Sequence, residues 1–192
     1  MNTANPKNIV LGVTGSIAAY KACELARLMT AAGWDVRVIM TAAAQKFVAP
    51  LTFQTLSRNP VALDAFAEVA HWEPCHVALA ERADALVVAP CTANFLAKLA
   101  HGFADDLLAS TALATRAPVV VAPAMNDGMW DNPATRENVE TLRRRNITII
   151  TPGDGELACG TRARGRMAEP AEIFERIRIL LECGDSSPLS TL

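Results

Sequence analysis

Five short apolar runs recur along the chain, at Ile9–Val13, Val36–Met40, Ala85–Ala89, Val119–Ala122 and Ile147–Ile150. They are rich in β-branched residues and almost unbroken by charge, which is how a parallel strand covered on both faces reads. The segments between them carry apolar residues at three- and four-residue spacing, as in Ala22, Leu25, Ala26, Leu28 and Met29. That spacing predicts crossover helices. Strand–helix alternation predicts a single doubly wound α/β domain, with a parallel sheet and helices on both faces. The domain is expected over residues 1–183, with a last helix near Ala171–Cys183. The Ser- and Pro-containing tail 184–192 is expected to be frayed. The stretch Thr151–Glu169 holds Gly153, Gly155, Gly160 and Gly165 and exceeds a minimal connection. It reads as a functional loop, a flap over 152–168.

Composition narrows the class. A chain of 192 residues supports one sizeable core, and 51% hydrophobic with 20% charged residues is a globular balance. A net charge of -2 argues against nucleic acid as the main partner, because neutralising phosphates needs a basic face. No run approaches the ~20 apolar residues of a membrane span. Met1–Lys7 lacks the layout of a signal peptide, so a cytoplasmic protein is expected, with no membrane partner. The five cysteines are scattered and form no Cys-x-x-Cys pair, so neither a metal site nor a disulfide framework is expected.

Sheets of this kind bind ligands beyond the carboxyl ends of their strands. After the first strand comes Gly12-Val13-Thr14-Gly15-Ser16-Ile17. Glycines allow close backbone approach, and a helix start offers N–H groups to a phosphate, with Ser16 as a capping hydroxyl. The pattern is not Gly-x-Gly-x-x-Gly, and the second strand runs into Met40-Thr41 with no acid to hold a ribose. A mononucleotide or flavin phosphate therefore fits better than NAD; the plainer reading is a tight turn.

After the third strand, Pro90-Cys91-Thr92-Ala93-Asn94 offers small residues against which a ring could lie, and two hydrogen-bonding side chains. The same segment reads equally as a helix cap with Thr92 at its head. After the fourth strand comes Pro123-Ala124-Met125-Asn126-Asp127-Gly128-Met129-Trp130. An asparagine directly after a core strand is costly unless its amide is used, and its two donors suit a carboxylate; Asn-Asp-Gly also forms turns. His76 heads a helical segment and can exchange protons near neutral pH, although a lone histidine is more often structural. Cys159 lies with Arg162, Arg164 and Arg166 in the Gly-rich stretch, an electropositive and movable setting that favours a functional thiol over a packed one. The arginines could hold a substrate phosphate, or the loop is simply solvated.

Together these segments resemble the family of homo-oligomeric flavin-containing cysteine decarboxylases, over roughly Ile9 to Pro170. The most specific motifs are Pro123-x-Met125-Asn126-x-x-Met129-Trp130 and Ala158-Cys159-Gly160 with Gly165-Arg166-Met167. The resemblance implies a Rossmann-like, flavodoxin-like domain that binds FMN through Gly15, Ser16, Ile17, Thr41, Pro90, Cys91, Thr92, Ala93, Asn94 and Ala124. It implies His76 as the base, Asn126 as the carboxylate ligand and Cys159 as the proton donor. Asn126, Met125, Arg166 and Met167 would meet the substrate. The implied reaction is decarboxylation of phosphopantothenoyl-cysteine to 4′-phosphopantetheine in coenzyme A synthesis, through a thioaldehyde and an enethiol. The implied assembly is a trimer or dodecamer. Relatives often carry a further glycine where this chain has Arg162-Ala163-Arg164. Rival readings are a peptidyl-cysteine decarboxylase, a flavin prenyltransferase, which would lack the Met125–Trp130 segment, and a non-catalytic flavin-binding regulatory subunit.

Overall fold

The apolar runs become the inner strands of a parallel sheet because the sheet is covered on both sides: all seven residues of Ala85–Cys91 are buried. The structure, a computed structural model, describes residues 6–66, 75–156 and 162–184. In chain order the elements are β1 (Asn8–Val13), α1 (Ala19–Ala31), β2 (Asp35–Met40), α2 (Pro50–Ser57), α3 (Cys75–Arg82), β3 (Ala85–Cys91), α4 (Ala93–His101), α5 (Leu107–Ala114), β4 (Val119–Pro123), α6 (Asp127–Asp131), α7 (Pro133–Arg144), β5 (Thr148–Ile149), β6 (Gly153–Glu156), β7 (Arg162–Arg166) and α8 (Pro170–Gly184). The parallel sheet has the order β2-β1-β3-β4-β5.

Successive side chains of a strand face opposite sides, and this builds two cores. Ile9, Leu11 and Val13 of β1 pack with α1, α2 and α8. Val10 of the same strand packs with residues of α3, α4, α5 and α7. Helix α1 forms because Ala19, Ala22, Leu25, Ala26 and Met29 fall on one buried face. The chain turns out of it at Gly33, whose φ of 83° suits glycine. Asp106 caps α5 by accepting from Ala109 N–H, and Asn132 with Pro133 starts α7.

The order places β1 beside both β2 and β3, so the chain leaves β1 in one direction and returns past it in the other. That reversal opens a crevice at the carboxyl ends of β1 and β3.

Two expectations change. The Gly-rich stretch is not a plain loop: β6 and β7 form an antiparallel ribbon with Asp154 opposite Arg164. Its side chains lack an apolar alternation, so nothing in the pattern announced strands. The third strand runs through Pro90 and Cys91, with the Ala89–Pro90 peptide cis. Two of the five residues of the expected post-strand segment are thus strand. Residues 185–192 of the expected tail lie outside the described residues. Among the described residues, no helix is long and apolar enough to cross a membrane.

Candidate active site

The crevice is built around Thr14, which is 2% exposed. Its Oγ1 donates to Pro90 O at 2.7 Å and accepts from Thr92 N–H at 3.0 Å. One hydroxyl thus joins the turn after β1 to the turn after β3, across the switch point. Thr14→Val keeps the shape but leaves Thr92 N–H without its acceptor, whereas Pro90 O keeps the Thr14 N–H. The expected loss is about 2 kcal/mol, read as a Tm lower by roughly 4–8 °C; an unchanged Tm would remove Thr14 from this role.

The glycines divide their work. Gly12 is a strand residue, and a Cβ there would overlap Leu108 of α5, so its bareness serves helix packing and not a phosphate. A Cβ on Gly15 would overlap Ala43. Ser16 is not the N-cap of α1, which starts at Ala19. Its Oγ accepts from Ala18 N–H at 3.3 Å and so shapes the turn ahead of the helix. Thr92 is the N-cap of α4, accepting from Phe95 N–H. The first N–H groups of a helix lack intrahelical acceptors, so α4 directs donors toward the crevice.

A cleft of about 750 Å³ opens here, within the range of small-molecule sites. Its lining comes from the turn after β1 (Gly15, Ser16, Ile17), the start of α4 (Thr92, Ala93), the turn after β4 (Ala124, Met125, Asn126) and Arg166 of β7. Tyr20 and Phe47, 60% and 49% exposed, stand at its lip. Neither aromatic was singled out from the sequence. Tyr20 lies one turn after Ser16-Ile17, and that spacing was the available signal.

Asn126 is exposed, contrary to its buried look in the sequence. It caps the short α6, and its Oδ1 accepts from Gly128 N–H at 2.9 Å. That bond fixes which end of the amide is oxygen, so the NH₂ end is the one turned elsewhere. Beside it, Met125 N–H donates to Gly165 O at 3.0 Å, tying the post-β4 turn to β7.

The remaining residues fall on both sides of the boundary. Met167 borders the cleft but is 1% exposed and belongs to the core over α1 and α8. Its packing is the stronger role. Thr41, Pro90, Cys91 and Asn94 do not line the cleft. Thr41 Oγ1 instead accepts from Ala44 N–H, while Asn94 is exposed. Burial pushes the Cys91 thiol far above its ordinary range, and burial also raises Cys75 and Cys23. Burial thus disfavours the thiolate at all three. His76 is half-buried on α3 and is not on the cleft wall of this chain. Cys159 lies outside the described residues.

The charged residue that sequence reading missed is Lys21, 6% exposed on the cleft wall. Its Nζ donates to Met167 O at 3.3 Å and to Glu169 Oε1 at 2.9 Å. The signal was a lysine set among the apolar positions Ala18, Ala19 and Ala22. Among the described residues, no cluster of side chains could hold a metal ion.

The sequence profile of the family described as Flavoprotein matches residues 2–182. The coenzyme A biosynthesis bifunctional protein CoaBC of Haemophilus influenzae is 49% identical over 173 residues, covering 88% of this chain. The chain spans only 42% of that relative's length. A solved structure of a PPC decarboxylase mutant complexed with pantothenoylaminoethenethiol has a TM-score of 0.83 and 33% identity, covering 93% of this chain and all of the other. The FMN-dependent cysteine decarboxylase SpaF has a TM-score of 0.80 and 31% identity, covering 93% of this chain and 98% of its own.

Proposed function

Because this chain belongs to the flavoprotein family, we propose that it is an FMN-dependent decarboxylase of phosphopantothenoyl-cysteine, releasing carbon dioxide and 4′-phosphopantetheine. The observation that carries the reading is the meeting, in one cleft at the switch point, of a phosphate-type turn with Asn126 and Arg166. The similarity to CoaBC of Haemophilus influenzae supports a step of coenzyme A biosynthesis. The likeness to a PPC decarboxylase supports the choice of substrate.

The cleft fits FMN chemically. Small residues at Gly15, Ala93 and Ala124 leave room for a planar ring, and Ile17, Tyr20, Phe47 and Met129 give it apolar flanks. The N-terminal turns of α1 and α4 suit a phosphate. When bound, FMN supplies a two-electron oxidation of the substrate thiol and returns the electron pair at the end. The chain's residues do the rest. Asn126 donates from its amide to the substrate carboxylate and holds the bond that breaks. His76 takes the proton given up as the thiol is oxidised. Cys159 donates the proton that completes the product. Arg166 faces the anionic arm of the substrate, as a guanidinium suits a phosphate.

His76 is absent from the lining of the cleft that holds Asn126, and Ile17, Tyr20 and Phe47 expose large apolar surface at the lip. Both facts support a homo-oligomer, trimer or dodecamer, in which a second copy covers the lip. Residues 1–183 make up one decarboxylase domain, with residues 152–168 as its flap.

Cys159→Ala tests the proton step. The FMN-loaded variant is expected to release carbon dioxide yet accumulate an oxidised enethiol species by mass spectrometry. Normal yield of the reduced product from that variant would remove Cys159 from its role.

A further inference from the structure

We infer that Lys21 is a positioning residue that sets the substrate-facing guanidinium of Arg166 through the carboxylate of Glu169. The inference rests on the reading of Arg166 given above. A lysine ammonium is costly to bury unless its hydrogen bonds are met. Lys21, at 6% exposure, has both a carbonyl and a carboxylate as partners. Both belong to the segment that leaves β7, Met167 and Glu169. The same Oε1 of Glu169 that accepts from Lys21 lies 3.0 Å from Arg166 NH2. One carboxylate oxygen therefore bridges a buried cation on α1 and an exposed cation on the ribbon.

The geometry orders these three residues. Glu169 is 59% exposed and Arg166 44%, so an isolated pair between them would be loosely held and screened. Lys21 differs because it is anchored on α1, five residues after the Ser16 turn. It restrains Glu169, and the Lys21 ammonium beside it holds that carboxyl below the usual carboxylate range. The ribbon is then fastened at two neighbouring points: Gly165 O on Met125 N–H, and Met167 O with Glu169 on Lys21. Arg166 stands between them and lines the cleft. Two cations against one carboxylate also leave this wall with a net positive charge, which suits an anionic substrate. The ribbon that carries substrate contacts is in this way registered to the helix that follows the cofactor turn.

The test uses the FMN-loaded full chain and phosphopantothenoyl-cysteine. Lys21→Met is expected to raise KM about tenfold with kcat within about threefold, the pattern of lost ground-state positioning. Lys21→Arg should restore most of the loss, and Glu169→Gln, at an exposed site that tolerates change, should reproduce it. In an Arg166→Gln background, Lys21→Met should add no further rise in KM, since the two act as one unit. Amide exchange across 162–167, measured without substrate, should quicken in Lys21→Met and in Glu169→Gln. An unchanged KM in both single variants, or independent, multiplying effects in the Arg166→Gln background, would overturn the inference. Should the wild-type chain not turn over this substrate, the proposed function fails, and exchange alone decides here: faster exchange supports the fastening and unchanged exchange refutes it.

Discussion

Asn126→Asp is expected to abolish decarboxylation while leaving the fold and flavin binding intact. The substitution is informative because it separates the two ends of one side chain. The oxygen that accepts from Gly128 N–H at 2.9 Å is retained by an aspartate, so the cap of α6 persists. The donating nitrogen is lost, and a negative charge takes its place opposite the substrate carboxylate. Like charges brought together at a binding site cost several kcal/mol; about 4 kcal/mol corresponds to roughly a thousandfold loss in kcat/KM. Steady-state kinetics with the visible flavin spectrum as a control checks it. Turnover within threefold of wild type would show that Asn126 does not meet the carboxylate.

Gly165→Ala is expected to have the next largest effect. Gly165 has φ of 148°, a conformation that L side chains rarely adopt, and a Cβ there would run into the carbonyl oxygen of Met125. The obstacle is backbone, so it cannot swing aside as a side chain would. The ribbon must separate from the Met125–Asn126 turn, and the Met125 N–H to Gly165 O bond at 3.0 Å is lost with it. Strain of this kind costs about 2 kcal/mol. The catalytic loss should be larger, roughly a hundredfold in kcat/KM, because a displacement of about 1 Å moves both Arg166 and Asn126 out of register. Gly153→Ala serves as the control. It lies on the same ribbon with nothing within 4 Å of its added Cβ, and a change of about 0.5 kcal/mol or less is expected. Equal effects at the two glycines would contradict the junction at Gly165.

The sheet was legible because burial on both faces leaves a simple trace. The runs at Ile9, Val36, Ala85, Val119 and Ile147 each lie on a strand or within one residue of it. The place of the cleft was legible for the same reason, since strand–helix alternation determines where small and polar residues gather. The division of labour within those segments was not. Gly12 and Gly15 look alike in sequence, yet Gly12 makes room for Leu108 and Gly15 lies against Ala43. Thr14 carried no reading of its own and is the hydroxyl that joins two turns; its partners Pro90 and Thr92 are remote in sequence. The partners of Lys21 were hidden for a similar reason, since they lie more than a hundred residues later; only its place among alanines marked it. The β6–β7 ribbon escaped notice because Arg162-Ala163-Arg164-Gly165-Arg166 has no apolar face to betray a strand. Long-range polar contacts and strands without a buried face leave no periodic signal in one sequence.

The central claim is that this cleft removes the carboxyl group of a phosphorylated cysteine conjugate, using FMN. Its most direct test is incubation of the FMN-loaded protein with phosphopantothenoyl-cysteine, and in parallel with a cysteine-ended peptide, followed by mass spectrometry. The account predicts loss of carbon dioxide from the first, with 4′-phosphopantetheine as the product, and the peptide left intact. Decarboxylation of the peptide alone, or of neither substrate, would contradict it.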